Sequence, residues 1–296
     1  MKPPKILFIL VVLAILAIPV GVAIYFWRLK DNEPKIVSSE NIVAGPASDS
    51  ELEKTEDDQK KTTEAASSFD TSAIQAVVDS WSSSLPGGSM ASVVILDSNG
   101  EEVSALNPDD KYFSASLYKL FVAYAGYQQI DTKVAVPDEM YTQGFTRAEC
   151  LDLMIRESHS PCAEKMWNEL GKAELTTLVR SYGIENTDLV NLQTTARDTG
   201  KILERILNRE NLSPESQSLF LDSMKTQDDK YRNGLPSGFS DEITVYNKVG
   251  WNEQQEYHDA AIIELADGRK LIVAALTSGV GTANLRKLAT AIEEVL

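Results

Sequence analysis

The sequence predicts an α+β domain whose antiparallel sheet is assembled from both ends of the domain, set behind a single N-terminal transmembrane helix. Three observations predict it. Strand-like runs lie near both ends of segment 70–296, a long helix-patterned stretch separates them, and an uncharged apolar run opens the chain.

The apolar run extends from Ile6 to Trp27 without a charge. About 20 such residues, rising 1.5 Å each, span a hydrocarbon core. Lys2 and Lys5 precede it, Tyr25 and Trp27 stand where an interfacial aromatic belt would lie, and Arg28 and Lys30 follow. Basic residues on both sides leave the orientation open. A cleaved signal peptide is the alternative, with Ile6–Ile18 as its apolar core and Gly21-Val22-Ala23 as a small-residue cleavage site. Cleavage there would leave Ile24, Tyr25, Phe26 and Trp27 at a new terminus, so residues 1–30 are read as an anchor. Either reading places the rest of the chain outside the cytoplasm, at the cell membrane or secreted.

Residues 31–69 are rich in Glu, Asp, Lys, Ser and Thr, with too few apolar side chains for a core, and read as a disordered acidic linker. A flexible coil of that length would span roughly 35 Å. A polar helix over 50–66 is the alternative.

Segment 70–296 has the composition of one folded domain. Asp70 caps a helix-spaced run through Trp81, and two strand patterns flank Asn99-Gly100, a hairpin turn signal. A helix-rich middle runs from Ser116 to about Met224. Three β-runs follow, "EITVYNKVGW", "HDAAIIELADG" and "RKLIVAALTSG", with Asp267-Gly268 as a second hairpin turn, and an amphipathic helix closes the chain.

Charge narrows the function. With 44 acidic and 28 basic residues the net charge is −16, which repels nucleic-acid phosphates, and no basic stripe offsets it. Chemistry concentrates in three short motifs. Ser116 stands three residues before Lys119, a spacing that puts both on one helical face, where a desolvated amine can serve as the hydroxyl's base. Alone, that pair carries little information. Ser158-His159-Ser160 falls between two helical runs, before Pro161, a residue favoured at a helix start. Lys248-Val249-Gly250 lies in a β-run near the end of the domain.

In this order the three motifs resemble those of the class A β-lactamase-like and penicillin-binding serine hydrolases. The resemblance runs from about Ile74 to Leu296 and includes the strand pattern that follows Lys248. It implies that Ser116 attacks an acyl carbonyl while Lys119 takes its proton. The amides of Ser116 and Trp251, with Gly250 between them and Lys248, would form an oxyanion hole. Ser158 would pass a proton to the leaving amine, and Lys248 would set the field of the cleft and attract a carboxylate. It implies no metal and no cofactor. The partners it implies are a peptidoglycan peptide or a β-lactam-like small molecule, besides the membrane reached through residues 1–30.

Three positions depart from the family's pattern. Ser160 stands where an Asn usually donates to substrate, so that contact needs a closer approach or a water. Val249 replaces a Thr or Ser whose hydroxyl holds a substrate carboxylate, so carboxylates should bind less well. The stretch from Gly183 to Thr195 is too short for the loop that carries the class A deacylating Glu, and Glu185 reads as a solvated loop residue. An acyl-enzyme should therefore form more readily than it hydrolyses. The reading is a membrane-anchored extracytoplasmic serine hydrolase or acyl-transferase acting on cell-wall peptides or related acyl donors. A β-lactamase proper and an inactive binding relic are the alternatives.

Neither histidine, His159 or His258, accompanies a G-x-S-x-G elbow, so neither reads as a catalytic base. Cys150 and Cys162 flank the second motif and are either a disulfide of an exported domain or two buried thiols. With the histidines they match no zinc-ligand spacing.

Overall fold

A computed structural model describes residues 69–296, apart from Gln254. The expected membrane anchor, residues 1–30, and most of the expected acidic linker, residues 31–69, lie outside the described residues. Among the described residues no helix is long and apolar enough to cross a membrane.

Helix α1 (Thr71–Ser83) starts where Asp70 accepts hydrogen bonds from the Ser72 and Ala73 amides, the side-chain cap that frees a helix from unpaired first-turn donors. The hairpin β1 (Met90–Asp97) and β2 (Glu102–Leu106) turns at Gly100, whose φ of +83° suits a residue without Cβ. A short β3 (Tyr112–Phe113) and a 3₁₀ turn, Ala115–Leu117, lead into α2 (Tyr118–Asp131). The helical insert continues with β4 (Met140–Thr142), β5 (Phe145–Thr146), α3 (Arg147–Arg156), α4 (Ser160–Leu170) and α5 (Lys172–Ser181). After β6 (Gln193–Thr194), α6 (Ala196–Leu207) and α7 (Pro214–Lys225) complete it. The chain returns through β7 (Thr244–Trp251), β8 (Tyr257–Glu264) and β9 (Lys270–Ser278) and ends in α8 (Thr282–Glu293).

The main sheet has the order β2-β1-β9-β8-β7, each pair antiparallel. Its centre joins the two ends of the domain, with Val94 opposite Ala274. Both faces are covered, so the central strands are buried nearly throughout, yet alternation still sorts their side chains. Val94, Ile262 and Ile272 join the core under the helical insert, while Val93, Ile263 and Val273 join a second core under α1 and α8. Helix α2 runs through the first core with every residue from Tyr118 to Tyr127 buried, as expected of a helix apolar on all sides. β7 is an edge strand, and its Gly250 packs against the turn that carries Ser116.

Candidate active site

Ser116 is the central residue of the 3₁₀ turn rather than part of α2. The turn is pinned by the Ser114 amide donating to Leu192 O at 2.7 Å and the Leu117 amide donating to Ser114 O at 2.9 Å. Ala115 adopts φ +44°, a left-handed conformation costing a residue with Cβ on the order of 1 kcal/mol. Ser116 is left half-buried, and its hydroxyl makes no hydrogen bond among the described residues.

Lys119 lies in the first turn of α2 and is buried. Its Nζ donates to the carbonyl of Ser158, to Ser158 Oγ at 3.2 Å and to Ser160 Oγ at 3.1 Å. The i, i+3 spacing suggests an amine turned toward Ser116; the structure instead commits all three ammonium protons to the 158–160 segment. A neutral amine has only two N–H donors, so losing a proton releases one of these bonds and frees a lone pair. Burial pushes Lys119 down to about 8, and the Glu164 carboxylate opposes that shift.

Lys248 approaches Ser158 from the opposite side. Its Nζ, buried, donates to Ser158 Oγ at 3.0 Å and to Val249 O at 2.9 Å, and lies 5.7 Å from the centre of the Tyr231 ring. Burial holds its amine well below the ordinary lysine range, and nearby Lys119 adds to that. With both lysines donating to it, Ser158 Oγ has its two lone pairs occupied, and its own proton is the one it can still give away.

The 158–160 segment is held by its flanks. Ser158 takes φ +55° in the break between α3 and α4. His159 caps α4, its Nδ1 accepting from the Cys162 amide at 3.4 Å, and its ring meets Phe145 edge-on at 5.7 Å. Cys150 on α3 and Cys162 on α4 form a disulfide with Cα atoms 5.1 Å apart. Gly250 is required for a different reason. A Cβ there would lie 2.8 Å from Ser114 O and 3.1 Å from Leu117 N, so only glycine lets β7 close against the Ser116 turn. Trp251, the last residue of β7, pairs with Tyr257 and is exposed.

His258 is structural. Its Nδ1 accepts from the Thr277 amide at 3.1 Å, which leaves Nε2 to donate to Phe113 O at 2.8 Å, and burial holds it down to about 4. Asp259 points to the opposite face of β8, accepting from the Leu235 amide at 2.8 Å and from Asn247 Nδ2 at 3.0 Å; burial pushes its carboxyl up to about 7. Glu185 is exposed. Among the described residues no cluster of three or more metal-ligating side chains occurs. The motifs do not reveal Tyr231, beside Lys248, or Glu164, whose charge reaches Lys119. Glu164 stands one turn beyond Ser160 on α4, and that i+4 spacing is its only signal in the sequence.

Three serine-and-lysine motifs far apart in the chain thus converge on one hydroxyl. The model of the beta-lactamase enzyme family matches residues 71–295. The chain belongs to that family. No curated protein sequence matches it. Among solved structures it is similar to PBP-A, of which a variant was captured as an acyl-enzyme complex with penicillin G. Identity is 20%, the TM-score 0.67, and the match covers 76% of this chain and 96% of that one. An ancestral (GNCA) class A beta-lactamase matches at 20% identity and TM-score 0.68, covering 75% of this chain and 100% of the other. The class A beta-lactamase PenP from Rhodopseudomonas palustris, itself described as putative, matches at 20% identity and TM-score 0.68, covering 76% and 100%. These likenesses give the fold, class A β-lactamase-like α+β.

Proposed function

We propose that this chain is a serine acyl-enzyme that acts outside the cytoplasm, anchored by residues 1–30, on cell-wall peptides or related acyl donors. One observation carries the reading: a buried lysine, with its amine lowered to about 8, stands three residues from a free serine hydroxyl and shares Ser158 Oγ with a second buried lysine. In the acylation step Ser116 Oγ forms the bond to the acyl carbon as its proton passes to neutral Lys119. Oxygen charge then develops against the Ser116 and Trp251 amides. The bond to the leaving group breaks as Ser158 delivers its proton there and is re-protonated from Lys119. Lys248 holds Ser158 in place throughout. The family resemblance and the penicillin adduct of the related PBP-A variant support the same chemistry.

The test is to incubate the full chain with a fluorescent penicillin and follow intact mass. The expected result is a long-lived adduct, absent in Ser116→Ala. Rapid turnover without a trapped adduct would instead favour a β-lactamase. No adduct with either the penicillin or a fluorophosphonate would identify a binding protein on the inherited scaffold.

A further inference from the structure

A cavity of about 200 Å³ opens beside β7, on the face of the strand opposite Lys248 and Gly250. Alternation along the strand explains its walls. Val249 and Trp251 flank Gly250 in sequence, so while Gly250 touches the Ser116 turn, its two neighbours turn their side chains into the cavity. Tyr257, opposite Trp251, and Leu285 of α8 add further apolar surface. Tyr231 also lines the cavity, and the centre of its ring lies 5.7 Å from Lys248 Nζ.

The wall chemistry selects against an anion. Lys230 is the one cation among the lining residues, and Asp228 already pairs with it at 3.2 Å. Nearby, Arg232 directs Nη1 to Lys225 O, Val245 O and Asn247 Oδ1. Asp259 contributes a carboxyl to the lining, and Val249 offers methyl groups where a hydroxyl would have held a carboxylate. A dry apolar cavity of roughly 150 Å³ is enough to admit benzene. Trp251, 53% exposed, leaves an aromatic edge for an entering group to slide along.

We propose that this cavity is the subsite for an uncharged apolar or aromatic group of the acyl donor, the size of one phenyl ring, and that donors carrying a carboxylate there acylate Ser116 more slowly. The proposal rests on Ser116 being the acylated residue. Its test uses the full chain and two esters of one scaffold, p-nitrophenyl 3-phenylpropanoate and p-nitrophenyl 3-(4-carboxyphenyl)propanoate, with the rate of Ser116 adduct formation read by intact mass. The neutral ester should react about tenfold faster or more, the scale expected for burying a ring rather than a charge. Thr282→Trp, which fills the cavity from the start of α8, should bring the two rates together. Because that variant need not fold, benzyl alcohol provides a second readout on the native chain: as a free occupant it should slow the neutral ester selectively. Equal ester rates, a faster carboxylate ester, or indifference to benzyl alcohol, with Ser116 still labelled by a fluorophosphonate, would overturn the subsite alone. Failure of both esters and of the fluorophosphonate to label Ser116 would overturn the acyl-enzyme reading and the subsite with it.

Discussion

At Lys119 two effects oppose one another: removal from water pushes the amine down to about 8, and the exposed Glu164 carboxylate on α4 pulls it back up. At pH 7 such a lysine is neutral about one time in ten, and only that form can take the Ser116 proton. Lys248 is the other amine beside Lys119, and both donate to Ser158 Oγ. Labelling of Ser116 by a fluorophosphonate should therefore rise about tenfold between pH 7 and pH 9, with its midpoint near 8. Glu164→Gln removes the charge that favours the ammonium, so its midpoint should move to lower pH and its rate at pH 7 should increase. An unchanged profile would show that Lys119 is not the base. Gly250 supports a second expectation. The atoms a Cβ would strike, Ser114 O and Leu117 N, belong to the backbone and cannot rotate away. Gly250→Ala should push β7 off the turn, costing about 1–3 kcal/mol in chemical denaturation and slowing Ser116 labelling at least about tenfold. Ser116, Lys119, Ser158 and Lys248 are legible because their short motifs follow one another along the chain in the order that resembles the family's. Tyr231 is not, because it reaches Lys248 through a loop whose path no periodicity encodes.

The segment between α3 and α4 shows how a helical break becomes a site. Pro161, which follows Ser160, marks the start of α4 in the sequence, and the structure adds a reciprocal capping box of Thr146 and Glu149 at the start of α3. What the pattern leaves open is the pairing of Cys150 with Cys162, since two helices in sequence can place two cysteines either in register or apart. In the folded domain both are fully buried and bonded, and the loop they close carries Ser158, His159 and Ser160. Cross-linking so short a loop is worth about 2–3 kcal/mol through the unfolded chain. Cys150→Ala with Cys162→Ala should lower the unfolding free energy by that amount in urea titration and slow Ser116 labelling, because Ser158 must hold φ +55° for both lysines to reach it. Loss of stability with labelling unchanged would make the bridge a staple with no part in positioning Ser158. The expectation that Ser116 and Lys119 sit on one continuous α-helix fails for a local reason: the left-handed Ala115 tightens the first turn to 3₁₀, and only from Tyr118 does α2 begin.

Across the whole domain, the sheet built from both termini is the most legible feature, because β-runs buried on both faces and Asn-Gly and Asp-Gly turns are local signals, whereas the meeting of β1 with β9 is implied only by where those runs fall. That sheet also separates two titrating neighbours on β8. Alternation sends His258 toward Phe113 O and Tyr112, and Asp259 to the opposite face toward Leu235 and Asn247. Their linkage to stability has opposite sign. His258 titrates near 4 when folded against an ordinary 6.5, so between those values the unfolded chain binds more protons and His258 lowers stability as pH falls. Asp259 titrates near 7 when folded against an ordinary 3.8, so over that window the folded chain holds the extra proton and gains stability as pH falls. The two slopes oppose each other, and the native profile alone conceals both. A comparison with His258→Gln separates them, since Asp259 contributes to both proteins. The native chain's advantage over His258→Gln in unfolding free energy should shrink by roughly 3 kcal/mol as pH falls from 7 to 4, most of the change falling between 6.5 and 4. Urea titrations of both proteins across that range measure it. An advantage that stays constant with pH would mean that His258 becomes charged in the folded state as readily as in water, and that burial does not hold it neutral against the pull of Phe113 O.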